Sequence, residues 1–259
     1  MSGEGRVRCE TRDGVAHILF DNQRAYNALT NAMWHELADH CSRIAGDPDI
    51  RAVTCRGAGE KSFISGNDIS GFLDFETGAD GIAYEREVGA CVEAVEQLPQ
   101  PTIALVNGWA VGGGLAIAFA CDFRIATSGS RFGSPIARTI GNCLSAKGYA
   151  RILWHVGPAL AKRMLLLGET MTAEEMDALG VMHAVVEASE LQEAGDALAA
   201  RLRDNAPLTI RASKEAMRRI AYANLPDMDD LIGTVYGSED FRAAVKRFIA
   251  KEKTVWKGR

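Results

Sequence analysis

Residues 101–135 read PTIALVNGWAVGGGLAIAFACDFRIATSGSRFGSP. TIALVNG is a continuous apolar run between prolines and a glycine, the pattern of a strand buried on both faces. Gly112, Gly113 and Gly114 then carry the chain into LAIAFACD, a short small-residue helix, and FRIAT reads as the next strand. A helix that begins at glycines presents unpaired N–H donors and the positive end of its dipole to whatever lies beyond the strand. A tight turn that lets the helix pack closely needs the same glycines. A dinucleotide site is not indicated, because no acid follows about twenty positions later at the end of a second strand.

Upstream, VRCET and VAHILF flank the turn Arg12-Asp13-Gly14 and predict a hairpin. Thr30 reads as the N-cap of a helix over residues 31–44, RAVTCRG as a strand, and GAGEKSFISGND as a polar loop. An amphipathic helix over residues 82–98 stops at Pro99 and Pro101. Strand, helix, strand, helix, strand implies an α/β layered fold with parallel strands. From Lys147 the pattern is helical almost throughout, with VMHAVV as a short strand and three amphipathic segments towards the C-terminus.

The chain has 259 residues, 47% of them hydrophobic, enough for a core without staples. Its six cysteines are scattered without a CxxC pair, so neither a zinc ribbon nor a disulfide framework is indicated, and a reducing compartment is expected. The opening MSGEGRVRCETRDG has no apolar run, and no segment has the length of a membrane span. A cytoplasmic protein that binds neither membrane nor nucleic acid is the expectation, with a mild net charge of -5. Between Gln97 and Gly168 the only acid is Asp122, against seven lysines and arginines. An anionic small ligand and a buried layer paired with acids from elsewhere both account for that asymmetry.

A second glycine turn, Ser65-Gly66-Asn67-Asp68, lies between Phe63-Ile64 and Ile69. FISGNDI, residues 101–135 and APLTIRASKEAMRR together resemble the enoyl-CoA hydratase/isomerase family, the crotonase superfamily, and the resemblance runs from DNQRAYNAL at Asp21 to the C-terminal VWKG. It implies an α/β spiral of repeated ββα turns, with residues 1–200 as the spiral core and 201–259 as a helical trimerisation region. It also implies a homotrimer or dimer of trimers and an acyl-CoA substrate, with coenzyme A entering only as part of that substrate and no metal. The backbone N–H groups of Asn67 and Gly113 would hold the thioester oxygen, where enolate charge develops. Ser65, Gly66, Asp68, Ile69, Gly112, Ala116 and Ile136 would surround the acyl group. Arg24, in the Gln23-Arg24-Ala25 segment, would pass the CoA phosphates, and Phe248 with Lys251 would come from a neighbouring subunit. For Arg24 and Lys251 a solvated surface charge, and for Phe248 plain helix packing, are the alternatives.

The family's hydratases carry two glutamates at positions that here are Ala116 and Ile136, neither of which can move a proton. The loop GSPIARTIGNCLS offers Arg138, suited to a carboxylate or to an ion pair, and Asn142 and Ser145, which orient groups but carry protons poorly. Cys143 reads as an inert buried thiol and Asp68 as a cap. Glu85, Glu87 and Glu93 read as the exposed face of their helix, and the five histidines as core or surface residues. The expectation is an acyl-CoA enzyme with a backbone oxyanion hole; a decarboxylase or hydrolase using the same hole, or a non-catalytic acyl-CoA-binding homologue, stands beside it.

Overall fold

Two sheets, wound one turn at a time, organise the structure, a computed structural model that describes residues 5–259. Arg6–Arg12 (β1) and Val15–Asp21 (β2) form the antiparallel hairpin, turning at Asp13 and Gly14 with φ of 49° and 73°. Asn31–Gly46 (α1) follows, capped by the Thr30 hydroxyl, which accepts from the Met33 N–H. The winding then repeats. Ala52–Gly57 (β3), Ser62–Ile64 (β4) and Gly78–Glu96 (α2) make one turn; Thr102–Val106 (β5), Trp109–Val111 (β6) and Gly113–Ala120 (α3) make the next. Phe123–Thr127 (β7), Arg131–Gly133 (β8) and Ala146–Leu166 (α4) make the third.

The first strand of each turn joins the larger sheet and the second joins the smaller. With Thr170–Thr172 (β9), Ala173–Asp177 (α5) and Ala184–Val186 (β10) added, the sheets run β1-β2-β3-β5-β7-β10 and β4-β6-β8-β9. All pairings inside the repeated turns are parallel, and β5 is buried along its whole length, as a parallel strand covered on both faces requires. Leu191–Arg203 (α6) covers the larger sheet, its Leu198 and Leu202 in one cluster with Ile103 and Leu105. The main core lies among the windings, where Phe20, Trp34, Phe63 and Phe132 are at most 2% exposed. No helix among the described residues is long and apolar enough to cross a membrane.

The segment expected to be helical almost throughout departs from that reading in two places. Gly157, with φ of 70°, kinks α4, and β9 adds three residues antiparallel to β8, too few for a periodic signal. Helix α2 begins at Gly78, earlier than the expected Ile82, because Thr77 and Asp80 form a capping box. Pro207–Ala221 (α7), Asp229–Tyr236 (α8) and Glu239–Ile249 (α9) complete the chain. Helix α8 lies along α2 at a glycine contact: a Cβ on Gly81 would stand 2.1 Å from the Tyr236 ring. Helix α3 is pressed as closely, since a Cβ on Gly114 would stand 2.1 Å from the Ile64 carbonyl oxygen in β4.

Candidate active site

A cavity of about 190 Å³ opens where the ends of β4 and β6 meet the starts of α3 and α4. Both glycine turns reach it. Leu29 donates to the Gly66 carbonyl at 2.9 Å and accepts from the Asp68 N–H at 2.8 Å, which pins the chain on either side of Asn67. Gly112 donates to the Gly133 carbonyl at 3.0 Å and accepts from Ala116 at 3.0 Å, which pins the start of α3. The Asn67 and Gly113 N–H groups find no acceptor among the described residues. The two turns touch: a Cβ on Gly113 would lie 2.1 Å from Asn67 Oδ1. Gly66 and Gly112, at φ of 132° and 55°, adopt backbone that side chains other than glycine rarely accept. The Asn67 amide donates to the Tyr84 hydroxyl at 2.5 Å, while its Oδ1 is buried without a partner among the described residues.

Ser65, Gly66, Ile69, Gly112, Ala116, Ile136, Asn142, Ser145 and Phe248 all line this cavity with Asn67 and Gly113. Phe248 does so from its own chain, where a neighbouring subunit was expected to supply it; the packing of α9 on the 3-10 turn Ser70–Asp74 brings it there. Asp68 is outside, exposed, its carboxylate accepting from the Ser70 N–H at 2.9 Å to open that turn. Arg138 is also outside: its stem packs on Gly168 and its guanidinium donates to the Gly168 carbonyl at 3.3 Å. Arg24 and Lys251 are exposed and line no part of the cavity.

The exposed-face expectation for helix α2 holds for Glu87, which pairs with His35 at 2.7 Å, and fails for Glu85. Glu85 lines the cavity with Val88, Gly89 and Val92 of the same helix and is the one carboxylate among the described residues that does so. Its Oε1 accepts from the Tyr236 hydroxyl at 2.7 Å and its Oε2 from the Ser145 N–H at 3.0 Å. Asn142 in turn donates to the Tyr236 oxygen at 3.2 Å. Burial pushes the Glu85 carboxyl up from 4.5 to about 7, against the opposing pull of the Tyr236 and Ser145 bonds. The residues at 85, 88, 89 and 92 follow i, i+3, i+4, i+7, and that register was the available sequence signal.

The other polar groups around Glu85 stay neutral. Burial raises the Tyr84, Tyr149 and Tyr236 hydroxyls and pushes Cys143 up to about 12, in each case reinforced by the nearby Glu85 charge. Arg151, 6% exposed at the cavity wall, donates to Glu96 at 2.6 Å, and Tyr222 donates to the same carboxylate oxygen. No histidine among the described residues lines the cavity; His155, pushed down to about 3 by burial, gives its Nε2 proton to the Phe119 carbonyl. No cluster of His, Cys, Asp and Glu able to hold a metal is present among the described residues.

The Glu85 shift has a consequence for stability. Between pH 4.5 and about 7 the folded chain keeps a proton that the unfolded chain releases, so stability falls as pH rises through that window. The full cost, roughly 3 kcal/mol, is present above pH 7. Denaturant melts of the parent and Glu85→Gln should therefore diverge by about that amount between pH 4.5 and 8, with the variant gaining at high pH; parallel curves would place Glu85 at an ordinary value.

The chain matches the family model for enoyl-CoA hydratase/isomerase over residues 10–259. It is 33% identical to a short-chain-enoyl-CoA hydratase of Clostridium acetobutylicum, with 95% of each chain covered. It is 31% identical to an (E)-benzylidenesuccinyl-CoA hydratase of Thauera aromatica, over 97% of this chain and 99% of that one. Among solved structures, a methylmalonyl-CoA decarboxylase in complex with 2-nitronate-propionyl-CoA superposes with a TM-score of 0.90 at 27% identity, covering 98% of this chain and 99% of that one. The fold is the crotonase fold of those neighbours, and with a family match across nearly its whole length the chain belongs to the enoyl-CoA hydratase/isomerase family.

Proposed function

We propose that this protein transfers a proton at the α-carbon of an acyl-CoA thioester, with the Asn67 and Gly113 amides stabilising the enolate and Glu85 carrying the proton. The observation that supports it most directly is the buried Glu85 carboxyl, raised to about 7, in the same cavity as two unpaired amides. A base works best with a pKa near the working pH, and amides fixed before reaction cost little reorganisation. With Ala116 and Ile136 lining the cavity beside one carboxylate, the chemistry that fits is a one-base shuttle, isomerisation of an enoyl-CoA. Ionised Glu85 takes the α-proton of a 3-enoyl-CoA, the electron pair moves onto the thioester oxygen, and the enolate collapses as Glu85 returns the proton to the γ-carbon, leaving the 2-enoyl-CoA.

Hydration is the second reading, favoured by relatives whose names are hydratase and dehydratase. In it, Glu85 takes a proton from water and supplies one to the α-carbon. Decarboxylation fits this cavity less well: Arg138 is turned to Gly168, Arg151 is engaged by Glu96, and an ionised Glu85 would repel a substrate carboxylate. The apolar wall of Ile69, Phe72, Val92, Ile136 and Phe248 suits a hydrocarbon acyl group. Exposed Leu208, Met217 and Ile220 on α7, with Leu153 and Trp154 on α4, support assembly as a trimer, and six free cysteines suit a reducing cytoplasm.

Incubation with 2-enoyl- and 3-enoyl-CoAs in deuterated water, followed by mass spectrometry, is the test. Interconversion with deuterium at the α- and γ-carbons is the expected result; gain of the mass of water supports the second reading. Unlabelled, unchanged thioesters across short, medium and branched chains would overturn both.

A further inference from the structure

Resting on the assignment of Glu85 as proton carrier, we infer that Tyr236 is a positioning residue, brought by the late helix α8, which holds Glu85 ionised and aims it at the substrate, with Asn142 setting the direction of the tyrosine proton. The geometry fixes that direction. The Asn142 amide nitrogen can only donate, so the Tyr236 oxygen accepts from it at 3.2 Å and its own proton goes to Glu85 Oε1 at 2.7 Å. The Ser145 N–H, at the N-terminus of α4, takes the other carboxylate oxygen at 3.0 Å. Each oxygen of Glu85 is thereby held from the side of the protein and left with acceptor capacity towards the cavity.

Tyr236 is 1% exposed, so bulk water does not substitute for its hydroxyl. Its ring is seated by Gly81, where a Cβ would stand 2.1 Å from the ring, and by edge and tilted contacts with Phe72, Tyr84 and Phe241. The groups facing Glu85 are Tyr84 from its own helix, Cys143 and the Ser145 N–H from the loop, Tyr149 from α4 and Tyr236 from α8; the charged Arg151 at the cavity wall is held by Glu96. The ionisable groups that surround Glu85 are uncharged near neutral pH, which leaves its titration to be set by burial and by these two donors.

Tyr236→Phe removes one oxygen and keeps the ring. A hydrogen bond to a charged group corresponds to about one pH unit or more, so the midpoint of the rate–pH profile for α-proton exchange should move up by about that much, with binding of the acyl-CoA little altered. Asn142→Ala should move it in the same direction by less. The same midpoint is readable without turnover, as the upper pH at which the stability difference between a chain with Glu85 and one with Glu85→Gln levels off, and it should rise equally when Tyr236→Phe is present. Lower rates at every pH with an unmoved midpoint in both measurements would make Tyr236 a packing residue and overturn the inference. If Glu85→Gln itself exchanges α-protons at the parent rate, the proton-carrier assignment falls first, and the positioning role in catalysis falls with it.

Discussion

Glu85→Gln is expected to lower α-proton exchange on a bound acyl-CoA by about 10²- to 10⁴-fold, the usual contribution of a positioned acid or base. Glutamine keeps the length and shape of the side chain; its oxygen can accept from the Ser145 N–H while its amide nitrogen donates to the Tyr236 oxygen, so the site should persist while its proton carrier is lost. Acyl-CoA affinity should change little, because the amides and the apolar wall are untouched. For a reaction that begins by removing the α-proton, the parent rate should climb as pH rises through about 7, following ionisation of the carboxyl, and then level off. Stopped exchange measurements by mass spectrometry decide the matter: a variant within a few-fold of the parent would leave Glu85 without a chemical role.

Gly113→Ala should lower kcat by about 10²- to 10³-fold, the range associated with loss of one oxyanion donor. The added carbon would fall 2.1 Å from Asn67 Oδ1 and 3.1 Å from the Trp34 ring. The Asn67 side chain is tied to Tyr84, and Trp34 is 2% exposed in the core, so the clash is relieved by moving the Asn67 turn or the first residue of α3. Either movement separates the two amides from a common oxygen. Free coenzyme A, which has no thioester carbonyl, should bind the variant nearly as it binds the parent; calorimetry with coenzyme A beside kinetics with the thioester separates the two effects. Full kcat with an unchanged melting temperature would contradict the assignment of that amide.

The parallel strand β5 was legible in the sequence because a strand covered on both faces is a near-continuous apolar run, and the start of α3 because its glycines answer to backbone pressed close against β4. Strand β9 was not, since three residues make no period and its partner β8 lies upstream by 41 positions at the pair Arg131 and Thr172. Glu85 was misread for a different reason. A glutamate among Glu87, Glu93 and Arg86 looks solvated, and its burial depends on Tyr236, 151 positions away along the chain, for which there is no local sign. The direction of Arg138 likewise depends on the carbonyl of Gly168, thirty positions later. What lies within one winding of the spiral can be read locally, whereas what a later helix lays over an earlier one cannot.

The order of synthesis gives the seating of α8 on α2 a further meaning. Turns β3 to α4 carry both amides, Glu85 and the Ser145 N–H, and precede Tyr236 and Phe248 along the chain, so they leave the ribosome before them. A chain in which those turns have formed and α8 has not yet docked would hold Glu85 through the Ser145 N–H alone, and the second donor to its carboxylate would arrive only with Tyr236.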